Sequence, residues 1–135
     1  MNCTFIGHRM VPSEIQASLE AAVIGVIKKG VKSFYIGNHG DFDKMATKVL
    51  KKLSVSFPQI KYATVLAYMP TTQQENTVFP EGLETVHPKS AIEKRNLWMI
   101  ENSDVVITYI TREGGCAAKF KAMALRKGKE IINIK

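Results

Sequence analysis

Two short segments of this 135-residue chain combine glycine with groups able to grip an anion: Gly7-His8-Arg9 near its start, and Glu113-Gly114-Gly115-Cys116 near its end. Glycine admits close backbone approach, and an arginine takes phosphate or carboxylate in bidentate fashion. A Gly-Gly pair just before a helix turns unpaired amides outward at the positive end of the helix dipole, which is the geometry that holds phosphate. His8 is able to stack on, or hydrogen-bond to, a base or ribose. The bland alternatives are a tight strand-to-helix turn at Gly114-Gly115, a structural salt bridge for Arg9 and a structural hydrogen bond for His8. A third glycine-bounded segment, Gly37-Asn38-His39-Gly40, precedes another helical pattern, with Asp41 or Asp43 placed to complement that helix start. Arg95 and Asn96 stand side by side where most neighbours are core-directed, which points either to a ligand or to a buried pair with Asp104. Cys116 at a helix start is a candidate for a lowered thiol pKa, but no base lies near it in sequence, and a small packing residue is the better reading.

The elements that must position these groups alternate along the chain. Cys3 to Ile6 reads as a buried strand, followed by a helix that Ser13 caps, with Ile15, Leu19, Ala22, Val23, Val26 and Ile27 on one face. Ser33 to Ile36 is the next strand, and Phe42, Met45, Ala46, Val49, Leu50 and Leu53 mark the second helix. Ala63 to Met69 is a third strand. Pro70 to Pro88 has neither period and is read as an irregular loop, longer than ordinary connections. Lys89 to Asn102 returns to helix, Val105 to Ile110 is the most strand-like run, Cys116 to Lys127 is helical, and Ile131 to Ile134 is the fifth strand. Such alternation favours parallel strands joined by right-handed crossovers. The expected fold is an α/β three-layer Rossmann-like sandwich, one domain spanning 1–135, with a five-stranded parallel sheet in the order 3-2-1-4-5. That order makes the first and fourth strands neighbours at the switch point, where ligands bind outside the carboxyl ends of the strands.

Composition bounds the function. Hydrophobic residues are 45% and charged residues 23%, ordinary globular usage. The net charge of +7 suits an anionic partner such as a nucleotide, a nucleic acid or an acidic membrane surface, although lysines such as Lys44, Lys48, Lys51 and Lys52 are explained as a solvated face. No run approaches the roughly 20 apolar residues of a membrane span, and no export signal is read, so a soluble, cytoplasmic protein is expected. Cys3 and Cys116 lie without metal-ligand spacing, and no metal is expected. Neither a Walker loop nor a GxGxxG string is present, so no nucleotide cofactor is expected either.

Taken together, Cys3-Thr4-Phe5-Ile6-Gly7-His8-Arg9, Gly37-x-x-Gly40-x-Phe42-Asp43-x-x-Ala46-x-x-Val49-Leu50, Arg95-Asn96-x-Trp98-Met99-x-x-x-Ser103-Asp104-x-Val106-Ile107, Gly114-Gly115 and Gly128-Lys129 resemble the YpsA-like branch of the SLOG superfamily. That superfamily also includes the LOG nucleoside monophosphate phosphoribohydrolases and the DNA-processing protein DprA. The resemblance implies a Rossmann-like domain that recognises nucleotides or nucleotide-derived ligands, often as a sensor. It implies a ligand-binding set of Gly7, His8, Arg9, Gly37, Asn38, Gly40, Asp43, Arg95, Asn96, Gly114, Gly115 and Cys116. LOG-like N-glycosidic hydrolysis of a nucleoside 5′-monophosphate is the alternative, with Arg95 and Glu113 as candidate catalytic residues. The LOG glycine loop continues Gly-Thr and then supplies a glutamate, whereas here Cys116-Ala117-Ala118-Lys119 follows, so binding is favoured over cleavage. Single-stranded DNA binding ranks third, since the lysines lack an aromatic ladder. A homodimer is compatible with the resemblance, because many relatives pair.

Overall fold

The computed structural model describes residues 1–69, 76–111 and 115–134. Strand β1 (Asn2–Gly7) alternates its side chains between two apolar layers, as period-two geometry requires. Cys3 and Phe5 enter one core and Ile6 the other, while the buried Thr4 hydroxyl donates to the Tyr35 carbonyl at 2.9 Å. The first core lies under helices α1 (Gln16–Lys28) and α2 (Asp41–Ser56), which bury Leu19, Val23, Val26 and Phe42, Ala46, Val49, Leu50 at helical spacing. The second lies under α3 (Pro88–Glu101) and α4 (Gly115–Arg126), which contribute Met99, Ile100 and Ala117, Phe120, Ala124. A sheet with helices on both faces is the outcome.

The sheet corrects the five-strand expectation. It has six strands in the order β4-β3-β2-β1-β5-β6, all paired in parallel: β2 (Ser33–Ile36), β3 (Lys61–Val65), β4 (Thr77–Val78), β5 (Val105–Tyr109) and β6 (Glu130–Asn133) complete it around β1. The added edge strand comes from the segment read as irregular loop. There the amides of Thr64 and Leu66 each donate at 2.7 Å to the carbonyls of Asn76 and Val78, pairing backbone groups that β3 would otherwise leave at an open edge. Leu83–Thr85 in the same segment forms a 3-10 turn with Leu83 buried. A two-residue strand carries no readable period, which is why the pattern missed it. Ser13 likewise does not cap α1. It opens a 3-10 turn, Ser13–Ile15, that runs into the helix without a side-chain cap. Among the described residues no helix is long and apolar enough to cross a membrane.

Candidate functional site

β1 and β5 are neighbours, registered Phe5 against Ile107 and Gly7 against Tyr109, and β1's other neighbour begins the run toward β4. Their carboxyl ends are therefore the switch point of the sheet. The loops that leave them meet there: the Thr111 amide donates to His8 Nε2 at 3.0 Å, and the His8 ring stands edge-on to Tyr109. The loop after β1 is also tied to the start of α2, where the Asp41 amide donates to the Arg9 carbonyl at 2.6 Å. Gly40 makes this approach possible. Its φ is +91°, and a Cβ there would lie 2.8 Å from the Arg9 Cα. Arg9 is left with its side chain exposed, and no ion pair among the described residues engages it.

Arg95 has the opposite fate. It shares the buried stripe of α3 with Ala91 and Met99, spaced four residues either side, and keeps 1% of its surface exposed. Its Nε donates to Asn96 Oδ1 at 2.8 Å, and its Nη1 donates to the Val65 carbonyl at 3.0 Å and to Asn38 Oδ1 at 3.2 Å. Nη2 lies 3.4 Å from His39 Nδ1. The guanidinium thus pins the end of β3 and the β2–α2 loop to α3. The pairing with Asp104 weighed from sequence is absent: Asp104 sits at the far end of the sheet, where its Oδ2 accepts the Asn2 amide at 2.9 Å. Burial works against the Arg95 charge, and Asp43, then Tyr68, offset it. Burial, then Arg95 and Arg9, lower the His39 pKa, which favours the neutral imidazole.

Asp43, in the first turn of α2, accepts the His39 amide on Oδ2 at 3.0 Å. No ion pair joins it to Arg95. Gly37 lies close to both groups: a Cβ there would sit 2.7 Å from Asp43 Oδ2 and 3.0 Å from Arg95 Cζ. Burial pushes the Asp43 carboxyl up to about 6, against the opposing pull of the His39 amide and Arg95.

These groups surround a cavity of about 140 Å³ whose wall includes Gly7, Arg9, Asp43, Arg95, Asn96 and Cys116 from the sequence-derived set. His39, Phe5, Ile6, Ile92, Ala117 and Phe120 complete it. Arg9 also borders a second cavity of about 350 Å³, with His8, Met10, Pro12, Tyr109 and Thr111. Asn38 reaches the site only through Arg95, and Gly37 and Gly40 shape it through their missing side chains. Gly115 opens α4 at a φ of +81° beside the cavity-lining Cys116, and the first-turn amides of that helix have no intrahelical acceptor. Glu113 and Gly114 lie outside the described residues. A larger hollow of about 600 Å³ runs along β2 and β3 toward Asn76, but Lys61 is the one charged residue among those lining it. Among the described residues no group of three or more His, Cys, Asp or Glu side chains is placed to hold a metal ion.

No protein-family model and no curated protein matches the chain. Among solved structures it is similar to DNA processing protein A (DprA) from Streptococcus pneumoniae, with a TM-score of 0.72 and 13% sequence identity over 98% of this chain. The chain spans about half the length of that protein, 49% of it. The likeness shows a shared fold.

Proposed function

We propose that the chain is a YpsA-like SLOG protein that binds, and by binding senses, a nucleotide or nucleotide-derived ligand at the C-terminal edge of its sheet. The observation that carries this reading is the convergence of Arg9, Arg95, Asp43 and the first turn of α4 on one cavity at the switch point. In this reading the ligand's phosphate lies against the α4 amides and Arg9, whose guanidinium is exposed and in no ion pair among the described residues. Arg95 holds the wall, because its Nε and Nη1 N–H groups are committed to Asn96, Val65 and Asn38 and its Nη2 lies 3.4 Å from His39 Nδ1. That commitment also weighs against LOG-like hydrolysis, in which Arg95 would have to serve the substrate.

Titration calorimetry of the full chain with ribonucleoside mono- and diphosphates, cyclic nucleotides and ADP-ribose tests the proposal. Binding is expected, and Arg9→Ala should weaken it about tenfold or more, the scale of a lost charge-assisted hydrogen bond, with an unchanged melting temperature. No heat at millimolar ligand overturns it. The likeness to a DNA processing protein favours single-stranded DNA as the second reading. An oligonucleotide bound more tightly than any mononucleotide, with affinity falling steeply with salt, would select it.

A further inference from the structure

We infer that the inner cavity takes the ribose of the ligand, with the Asp43 carboxylate accepting hydrogen bonds from its vicinal hydroxyls, so that the site selects ribonucleotides over 2′-deoxyribonucleotides. The inference rests on the nucleotide reading above and assigns the part of the ligand that each wall receives.

A carboxylate offers about four lone-pair sites. Asp43 uses one, on Oδ2, for the His39 amide, and neither Arg95 from α3 nor Arg9 from the β1 loop, which line the same cavity, forms an ion pair with it. Holding the His39 amide therefore occupies one acceptor site of this side chain and leaves acceptor capacity on a residue that lines the cavity. A sugar diol supplies two donors at the spacing of two carboxylate oxygens and so suits this free acceptor capacity. Phosphate would be repelled from this wall and drawn to the α4 end, where Cys116 and Ala117 line the same cavity.

Size agrees with that division. A cavity of roughly 150 Å³ admits one benzene-sized ring, and at about 140 Å³ the inner cavity has room for a sugar ring but not for a whole nucleotide. The base would then extend past Arg9 into the adjoining cavity of about 350 Å³, where the Tyr109 and His8 rings offer stacking surface.

Calorimetry with the four ribonucleoside 5′-monophosphates and their 2′-deoxy counterparts tests the assignment on the full chain. The tightest ribonucleotide should exceed its deoxy partner by about tenfold or more, as expected for a hydrogen bond to a charged acceptor. Asp43→Ala removes the partner of both hydroxyls, so it should weaken the ribonucleotides about tenfold more than the deoxy series, which loses only its 3′-hydroxyl contact, bringing the ratio close to one. Arg9→Ala should weaken both series equally. Equal affinities of the two series in the unmodified protein overturn the inference and leave the nucleotide reading standing, as does an Asp43→Ala protein that weakens both series alike. If neither series binds the unmodified protein, both readings fall. Should Asp43→Ala not fold, Asp43→Asn keeps an acceptor for the His39 amide, and a ribose preference undiminished in that variant counts against the carboxylate.

Discussion

Replacing Asp43 by Asn should make the ligand-free protein more stable at neutral pH, because the native structure holds this carboxyl at a pKa of about 6 against an ordinary value of 3.8. Asparagine retains an oxygen for the His39 amide that Asp43 accepts at 3.0 Å. It carries no charge for burial to penalise. The sign follows from proton linkage: between the two pKa values the native state holds a proton that the unfolded chain has released, so stability falls as pH rises through that window. The favourable contribution is complete below pH 3.8 and lost above about pH 6. At about 1.4 kcal/mol per pKa unit the full difference is roughly 3 kcal/mol, an upper figure for a carboxylate beside a cavity that water can enter. In a domain of this size that is a rise in melting temperature on the order of 5–10 °C. Urea or thermal unfolding of both proteins at pH 7.5 and near pH 4 is the assay, with the variant's advantage present at the first and nearly absent at the second. An Asp43→Asn protein no more stable than the parent at pH 7.5, or equally advantaged at both pH values, would refute the reasoning. Under the proposed ribose contact the same substitution should weaken ribonucleotide binding, which would make the carboxylate a case of stability given up for a site.

Arg95→Ala should lower stability by about 3 kcal/mol or more, measured by urea midpoint, because it removes the donors that serve Val65 O and Asn38 and leaves a hole in the α3 stripe. Arg95→Lys should recover little of this, since an ammonium cannot reproduce the planar fork that serves Asn96, Asn38 and Val65 together. Cysteine alkylation should modify one thiol in the native protein and two in denaturant: Cys116 is exposed at the cavity, whereas burial pushes the Cys3 thiol well above its usual range. A bound ligand should slow modification of Cys116, and mass spectrometry reads both effects.

The alternation of elements was legible because the strands through the middle of the sheet are apolar on both faces and the helices repeat their apolar residues at helical spacing. Most boundaries moved by a residue, as when Val105 to Ile110 became Val105–Tyr109, whereas the third strand, expected over Ala63 to Met69, runs Lys61–Val65 and ends four residues earlier. The edge strand β4 was not legible, since Thr77–Val78 is defined by its partner on β3 and has no pattern of its own. His39 does not belong to the set that the sequence suggests, for a related reason. Its place on the cavity wall depends on β2 ending beside β1, a long-range fact, although its position between two glycines after a buried strand was an available signal.

The two arginines of the site show where reading residues one at a time reaches its limit. From sequence Arg9 reads as a grip for phosphate or carboxylate and Arg95 as a ligand contact or a buried pair with Asp104, and both line the cavity. What separates them is the set of acceptors the fold delivers. Arg95 falls four residues from Ala91 and from Met99, so the helix that buries those residues must bury it too. A buried guanidinium is tolerated where its N–H groups find partners, and the Val65 carbonyl and the amide oxygens of Asn38 and Asn96 supply them. Arg9 leaves β1 on a loop whose backbone, rather than its side chain, is claimed by α2 through the Asp41 amide. Its charge remains available at the mouth shared by both cavities. A cation in the apolar stripe of a helix is therefore better assigned to holding a wall, and a cation in a glycine-flanked loop at a strand's carboxyl end to meeting a ligand.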